Sequence, residues 1–219
     1  MTTRPSARRE ELLDSAYRYA LEHGLADLSL RPLAAAIGSS PRVLLFLFGS
    51  KDGLVRELLA KARADELGYL EREGGAGGLE GAAGQHAASH NGLPEMVAAT
   101  WRWLAAEPVR PLLTLWTEAY GRSVAEPSGP WSGFARQSVA DWLEVLASAQ
   151  PIRNTGQPIR NTGQPTAEHA SADRTLALAV LRGCLLDLLA TGDTERVNAA
   201  IARYANLTAN AAATAGADS

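Results

Sequence analysis

The chain has 219 residues, 46% of them hydrophobic, which is enough to bury the core of one large or two small globular domains. It contains no uninterrupted apolar run of about 18 residues, so we expect no membrane span. No apolar segment follows the opening MTTRPSARREELL, so we expect no signal peptide and therefore a cytoplasmic location. The net charge is −3, yet residues 1–63 hold ten Lys and Arg against seven Asp and Glu, a local excess compatible with a nucleic-acid partner.

The first 62 residues have the periodicity of four short helices. Apolar residues recur every three or four positions, and Gly24 and Gly38 stand where helices commonly end. Ser29 and Ser50 are typical N-caps, while Pro41 suits a first helical turn, whose amides lack intrahelical partners. The predicted helices are Ser6–His23, a segment from Ser29 to Ile37, Pro41 to about Phe48, and a segment that begins after Ser50.

The remaining sequence also favours helices. Residues 74–92 are rich in Gly and Ala and lack periodicity, which indicates a connection. The duplicated heptapeptide PIRNTGQ at residues 151–164 indicates a surface loop that accepted a small insertion. The predicted helical segments are Leu93–Ala106, Pro108–Gly121, Pro130–Ala149, a strongly apolar one after His169, and a final one that contains Val197, Ile201, Tyr204 and Leu207. No segment has the pattern of a strand.

Two of the short helices, joined by Gly38, Ser39 and Ser40, form a candidate helix-turn-helix, whose second helix would enter the DNA major groove. The surrounding stretch LAAAIGSSPRVLLFLFGSKDGLV resembles the N-terminal DNA-binding segment of the TetR family of bacterial transcriptional regulators. The resemblance covers about the first 60 residues. The positions that carry it are Leu33, Ala34, Gly38, Ser40, Leu44, Phe48, Ser50, Lys51 and Leu54.

The helical pattern and this resemblance together predict an all-α fold with three parts. Residues 4–66 would form a three-helix helix-turn-helix DNA-binding domain and its connecting helix. Residues 67–92 would be the Gly/Ala-rich connection, and residues 93–219 a helical ligand-binding and dimerisation domain.

The third predicted helix has two different faces. At 100° per residue, placing Leu44 and Phe48 inward puts Arg42, Leu45 and Phe46 on the opposite side. A guanidinium can bond to guanine O6 and N7 together, so Arg42 is a candidate for a base contact. A phosphate contact or a free surface position fits Arg42 equally well.

Polar residues around this helix are candidates for phosphate contacts. Lys51 begins the fourth helix, where its ammonium and the free amides can both approach a phosphate. Ser39 and Ser40 offer hydroxyls at a helix start, although such hydroxyls also serve only as caps. The resemblance adds Arg31, at a position that often touches the DNA backbone in the family. The predicted DNA-binding set is Arg31, Ser39, Ser40, Pro41, Arg42, Leu45, Phe46 and Lys51.

The chain departs from the family pattern at Leu45 and Leu47, where relatives usually carry a Tyr and a His that reach phosphates. A leucine side chain cannot donate a hydrogen bond. Leu45 and Phe46 could instead contact thymine methyl groups, or the protein could bind DNA weakly. Both interpretations remain open.

The C-terminal half is rich in aromatic residues. By the resemblance, its last two long helices would form a dimer interface, and the others would enclose a pocket for a small inducer. Arg102, Glu118 and Arg122 are candidate partners for a polar ligand group, and helix-packed aromatic residues equally serve as plain core. The predicted ligand-binding residues are Trp101, Trp103, Trp116, Tyr120, Trp131 and Phe134.

Catalytic patterns find little support. His86 and His90 are four residues apart, but they lie in a Gly-rich stretch without a Cys or carboxylate at zinc-ligand spacing. No Gly-rich phosphate loop or G-x-S-x-G motif occurs, so we expect no enzyme, cofactor or metal. The predicted function is a ligand-responsive repressor that binds a pseudo-palindromic DNA operator as a dimer and is released by an inducer. The alternative is a helical small-molecule-binding protein with weak or lost DNA recognition.

Overall fold

Helices make up almost all of the chain that the computed structural model describes, residues 5–74, 92–148 and 167–217. They are α1 Pro5–His23, α2 Leu30–Ala36, α3 Pro41–Phe48, α4 Lys51–Gly74, α5 Leu93–Leu104, α6 Arg110–Ala125, α7 Phe134–Ser148, α8 Ala167–Thr191 and α9 Thr194–Ala217. A 3₁₀ turn, Glu107–Val109, precedes α6. These described residues contain no strand, and the predicted all-α class is confirmed.

Most predicted helices begin and end within a few residues of the observed bounds. α4 is longer than expected, because it continues to Gly74 and so enters the segment predicted as a connection. Pro108 lies in the 3₁₀ turn, and Pro130 precedes a turn rather than opening α7. Ser29 is the N-cap residue of α2, as predicted, but its side chain makes no capping hydrogen bond.

Some predicted features lie outside the described residues. Among these are His86, His90 and the PIRNTGQ repeat at 151–164. Of the helices that are described, none is by itself long and apolar enough to cross a membrane, while α2 and α3 meet that criterion only as a pair bent by 102°.

The helices pack as two compact units whose segments alternate along the sequence. The first unit comprises Met1–Gly68 and Pro108–Val139, and the second comprises Tyr69–Glu107 and Ala140–Ser219. The predicted domain boundaries stay a prediction.

A leucine-rich core holds the first unit together. Leu12 of α1, Leu33 of α2 and Leu44 of α3 are at most 1% exposed, as are Leu54 and Leu58 of α4. Burial of each such side chain contributes about 1.5–3 kcal/mol, an upper estimate because unfolded chains already bury some apolar surface. The shortest helices, α2 and α3, therefore depend on this shared core for their stability.

The turn between α2 and α3 is a Schellman motif. The amide of Ser39 donates to the carbonyl of Ala34 (2.8 Å), and the amide of Gly38 donates to that of Ala35 (3.4 Å). Gly38 has φ +63°, a left-handed conformation that side chains with a β-carbon rarely adopt. This turn sets the direction in which α3 leaves α2.

Arg9 of α1 anchors the C-terminal end of α3. Its Nη2 donates to Glu57 Oε1 of α4 at 2.6 Å, and its Nε donates to the carbonyl oxygen of Leu47 at 3.5 Å. The guanidinium also lies over the Phe48 ring, 5.1 Å from the ring centroid. Since the last carbonyls of a helix lack intrahelical partners, a cation here both satisfies one of them and joins three helices.

The second unit is built on α5, α8 and α9, which pack against one another. The indole of Trp101 in α5 donates to Asn198 Oδ1 of α9 at 2.7 Å. Asp193 caps α9 by accepting from the amide of Arg196 (3.0 Å), and the Arg196 side chain reaches back to Asp187 of α8 (2.8 Å). These polar contacts fix the α8–α9 hairpin around its buried leucines.

We predict that Gly38→Ala lowers the free energy of unfolding by about 1–2 kcal/mol, because alanine must adopt the left-handed conformation. A β-carbon at Gly38 would have no described atom within 4 Å, so steric contact adds nothing. Gly121, inside α6, is equally open and is the matched control. Gly121→Ala should raise the free energy of unfolding by about 0.5–1 kcal/mol. Urea unfolding measures both values, and changes of the same sign would contradict the assigned role of Gly38.

Arg9→Ala should lower the free energy of unfolding by about 1 kcal/mol, a small value because the Arg9–Glu57 pair is partly exposed. Amide hydrogen exchange in α3 should become faster, since its C-terminal end loses the anchor.

Arg8→Ala is the adjacent control, because Arg8 pairs only along the surface of α1 with Glu11 at 2.8 Å. That change should alter the free energy of unfolding by less than about 0.5 kcal/mol and leave exchange in α3 unchanged. Equal effects of the two substitutions on α3 would rule out the anchoring role.

Candidate DNA-binding surface

Helix α3 separates its apolar residues into an inward and an outward face. Leu44 and Phe48 are 1% and 8% exposed and anchor the helix in the core of the first unit. Phe46 is 85% exposed, Leu45 is 42% exposed, and Arg42 is exposed on the same outward side. The predicted orientation of α3 is confirmed.

The start of α3 is capped as the sequence predicted. Ser40 accepts a hydrogen bond from the amide of Val43 at 3.3 Å, and Pro41 occupies the first turn. Ser39 and Ser40 are both half-buried in the turn. The cap holds these two serines and Pro41 beside the outward face of α3.

Helix α4 begins directly after α3 and presents its own N-terminus. Ser50 accepts from the amide of Gly53 at 2.9 Å, which confirms the predicted cap. Lys51, the first residue of α4, is exposed. The positive end of the α4 dipole therefore coincides with an ammonium group.

Three cations surround α3, each on a different helix: Arg31 on α2, Arg42 on α3 and Lys51 on α4. All three are exposed, and none forms an ion pair with another described residue. Residues 28–51 contain no Asp or Glu, so no carboxylate in this segment offsets them. The segment itself thus carries three positive charges next to an apolar helix face, with the carboxylates of Asp27 and Asp52 directly beyond its two ends.

The basic residues near the N-terminus are used differently. Arg8 pairs with Glu11 and Arg9 pairs with Glu57. These two arginines are therefore not the unpaired charges that the excess of Lys and Arg in residues 1–63 suggested. Arg4 lies outside the described residues.

The predicted ligand-binding aromatic residues are divided between the two units. In the first unit, Trp116 and Tyr120 of α6 stack with ring centroids 4.9 Å apart, and the Trp116 indole donates to Ser138 Oγ at 3.0 Å. Trp131 and Phe134 of this unit are buried.

Trp101 and Trp103 belong to α5 of the second unit, where both are buried. Because the Trp101 indole already donates to Asn198, its polar edge has a structural partner. The ligand-binding role of all six aromatic residues stays a prediction.

Glu118, predicted as a possible partner for a ligand, links α6 to the turn that follows α1. Its Oε2 accepts from the amide of Leu25 at 2.9 Å and lies against Gly24. Its Oε1 is buried without a hydrogen-bond partner among the described residues. One carboxylate therefore holds the end of α1, and its second oxygen can still accept a bond.

Arg122 of α6 has a local role. It pairs with Glu126 at 3.0 Å, and its guanidinium lies 5.9 Å from the ring centroid of Trp131. Sequence reasoning missed the roles of Arg9 and Glu118, because Glu57 and Leu25 lie 48 and 93 residues away along the chain. No local spacing reveals contacts of such separation.

The helix-turn-helix segment described above also matches a known protein family in sequence. Residues 12–58, from α1 into α4, match the sequence model of the bacterial regulatory proteins of the tetR family. None of the curated proteins compared with the chain matches it.

Solved structures of similar fold cover most of the chain. A transcriptional regulator from Rhodococcus sp. Rha1 is 18% identical with a TM-score of 0.65, covering 91% of this chain and 94% of that one. A TetR transcription regulator from Haloarcula marismortui ATCC 43049 is 18% identical with a TM-score of 0.63, covering 94% and 98%. The multidrug binding protein EbrR complexed with imidazole is 22% identical with a TM-score of 0.57, covering 90% and 88%.

At these identities the structural likenesses show the fold, and the family match rests on α1 to α4. The resemblance predicted from the sequence is thereby confirmed: this chain has the fold of solved TetR-family transcriptional regulators, and residues 12–58, which contain its helix-turn-helix segment, match that family's sequence model.

Proposed function

We propose that the chain is a ligand-responsive repressor that binds a pseudo-palindromic DNA operator as a dimer. The observation that carries this proposal is the outward face of α3 with Arg31, Arg42 and Lys51 around it, three exposed cations that form no ion pair with any described residue. DNA phosphates supply the missing negative charge, and the major groove has the width of a helix.

In this proposal α3 enters the major groove. Arg42 contacts a base edge, and Lys51 and Arg31 contact phosphates on either side of the groove. Ser39 and Ser40 add hydroxyl contacts at the start of α3, where Pro41 packs against the groove wall. A repressor of this kind acts in the cytoplasm and needs no catalytic residue.

An apolar stripe on α8 supports a dimer. Six exposed residues at alternating spacings of four and three lie along one side of the helix: Ala172, Leu176, Ala179, Gly183, Leu186 and Ala190. Leu176 and Leu186 are 53% and 50% exposed, which is unfavourable for a monomer in water. Small residues between leucines allow a second helix to approach closely, so we assign this stripe, with α9 beside it, to the contact with a second copy.

The inducer site is assigned to the aromatic residues of α6 and its neighbours. The stacked pair Trp116 and Tyr120 offers a surface for a flat molecule, and Glu118 Oε1 offers an acceptor. EbrR, of similar fold, is a multidrug binding protein solved with imidazole and with proflavin. Trp131 and Phe134 complete this set within the first unit. Trp101 and Trp103, which belong to the second unit, are proposed separately as ligand-binding residues.

Glu118 provides a route from ligand to DNA. A ligand that draws Glu118 away from the Leu25 amide changes the end of α1, the helix whose Arg9 anchors α3. To reverse a 99:1 preference for the DNA-binding state, the ligand must bind the other state about 10⁴-fold more tightly.

A second candidate function is a helical small-molecule-binding protein that has lost DNA recognition. The observation that favours it is the pair Leu45 and Leu47, which cannot donate hydrogen bonds to phosphates.

A mobility-shift titration of the full chain on the DNA flanking its own gene, across a salt series, separates the two functions. The repressor should prefer this DNA over random duplexes and lose affinity steeply with salt. Binding without any sequence preference at every salt concentration would favour the second candidate.

We predict different effects of two cation substitutions on this binding. Arg42→Ala should relax the sequence preference by about 1–3 kcal/mol, since a base contact is lost. Lys51→Ala should weaken binding to all sequences alike and lower the salt slope by about one unit. Titrations of both variants on specific and random duplexes measure this, and an exchange of the two patterns would show that the roles are assigned wrongly.

Leu186→Glu should convert the dimer into a monomer or weaken it by at least about tenfold, because it places a charge within an apolar contact. Analytical ultracentrifugation measures the mass. Val124→Glu, at a residue of α6 that is 66% exposed, is the matched control and should leave the mass unchanged. A wild-type chain of monomer mass, or two variants that behave alike, would contradict the assigned interface.

A further inference from the structure

The outward face of α3 is unusually apolar for an exposed surface. Phe46 is 85% exposed, and Val43 and Leu45 are 39% and 42% exposed. Helix α3 has eight residues, and the six from Val43 to Phe48 are all apolar. Neither internal packing nor helix propensity requires a phenylalanine at a position that water surrounds.

The chemistry of this face limits which base edges it can recognise. Arg42 carries the hydrogen-bond donors of α3, since no side chain from Val43 to Phe48 has a donor or an acceptor. Any recognition by the rest of the face must therefore come from apolar contact. In the major groove, the C5-methyl group of thymine is the apolar feature that distinguishes one base from the others.

We propose that Phe46 and Leu45 recognise thymine methyl groups in the operator, next to the base contacted by Arg42. This inference rests on the proposed function and specifies the operator sequence: each half-site contains thymines that face the side of α3 bearing Phe46. Arg42 contributes a polar contact, and the neighbouring positions are selected by the methyl groups.

The positive charges around the outward face of α3 identify DNA as the molecule that binds there. Arg31, Arg42 and Lys51 flank the apolar side chains, and residues 28–51 contain no Asp or Glu. A polyanion with apolar groups in its groove matches both features at once. A protein partner would have to bring carboxylates to all three cations around an apolar centre, and that occupant is an outcome of the test below.

Thymine and uracil differ in duplex DNA only by the methyl group. Replacing dT by dU therefore removes the contact and keeps every hydrogen bond. Loss of one buried methyl group should weaken binding about fourfold, less where the methyl is only partly covered.

The experiment begins with the full chain and a library of random double-stranded DNA, from which bound duplexes are selected and sequenced. The enriched duplex is then made with dT and with dU at each half-site thymine. Binding of wild type, Phe46→Ala and Val124→Ala is measured on both duplexes. Phe46 is exposed, so Phe46→Ala should fold, and an unchanged melting temperature checks this.

The expected result is a two- to fourfold weaker binding of wild type for each critical dU. At the thymines that Phe46 contacts, Phe46→Ala should bind the dT and dU duplexes nearly equally, while Val124→Ala should keep the wild-type ratio. The comparison of ratios separates a direct methyl contact from an effect of the methyl on DNA shape, since a shape effect persists in Phe46→Ala.

Four results would overturn the inference in distinguishable ways. Selection of an enriched duplex whose half-sites lack thymine, or equal dT and dU binding by wild type, defeats the methyl contact and leaves the repressor standing. A dT/dU ratio that is the same in wild type and Phe46→Ala at every half-site thymine shows that Phe46 contacts no methyl group and defeats the inference for Phe46. No enrichment of any sequence defeats both the repressor and the inference.

Discussion

Three helices meet at the guanidinium of Arg9. It bonds to Glu57 of α4 and to the Leu47 carbonyl at the end of α3, and it covers the ring of Phe48. An eight-residue helix is too short to be stable alone, so its rotation is set by what holds it. With Leu44 and Phe48 buried and the end of α3 anchored, the outward residues are determined. A rotation of α3 would bury Phe46 and expose Phe48.

The same constraint connects α3 to the rest of the first unit. α1 carries Arg9 near its start, and the turn at its end is held by Glu118 of α6. α6 also carries the stacked pair Trp116 and Tyr120. In the proposed function, a ligand bound against α6 would act on DNA binding through displacement of α1, without a long chain of side-chain rearrangements.

The sequence predicted the local structure of the candidate DNA-binding segment well. The caps at Ser40 and Ser50, the glycine at the α2–α3 turn and the two faces of α3 all follow from spacing and residue chemistry within a few positions. Ser29 is the N-cap residue of α2 as predicted, but its side chain makes no capping hydrogen bond, because a residue type that suits a cap does not by itself orient the hydroxyl. Arg9 and Glu118 could not be predicted, since their partners are distant in the chain and are brought close only by tertiary packing.

In the proposed complex with DNA, the outward face of α3 enters the major groove, once in each subunit of a dimer. Footprinting of a selected duplex with dimethyl sulfate and hydroxyl radicals tests this most directly, because guanine N7 lies in the major groove. Two protected major-groove segments should be centred about 34–36 Å apart and related by a pseudo-two-fold axis. A single protected segment, or unprotected N7 positions throughout the bound region, would contradict this arrangement.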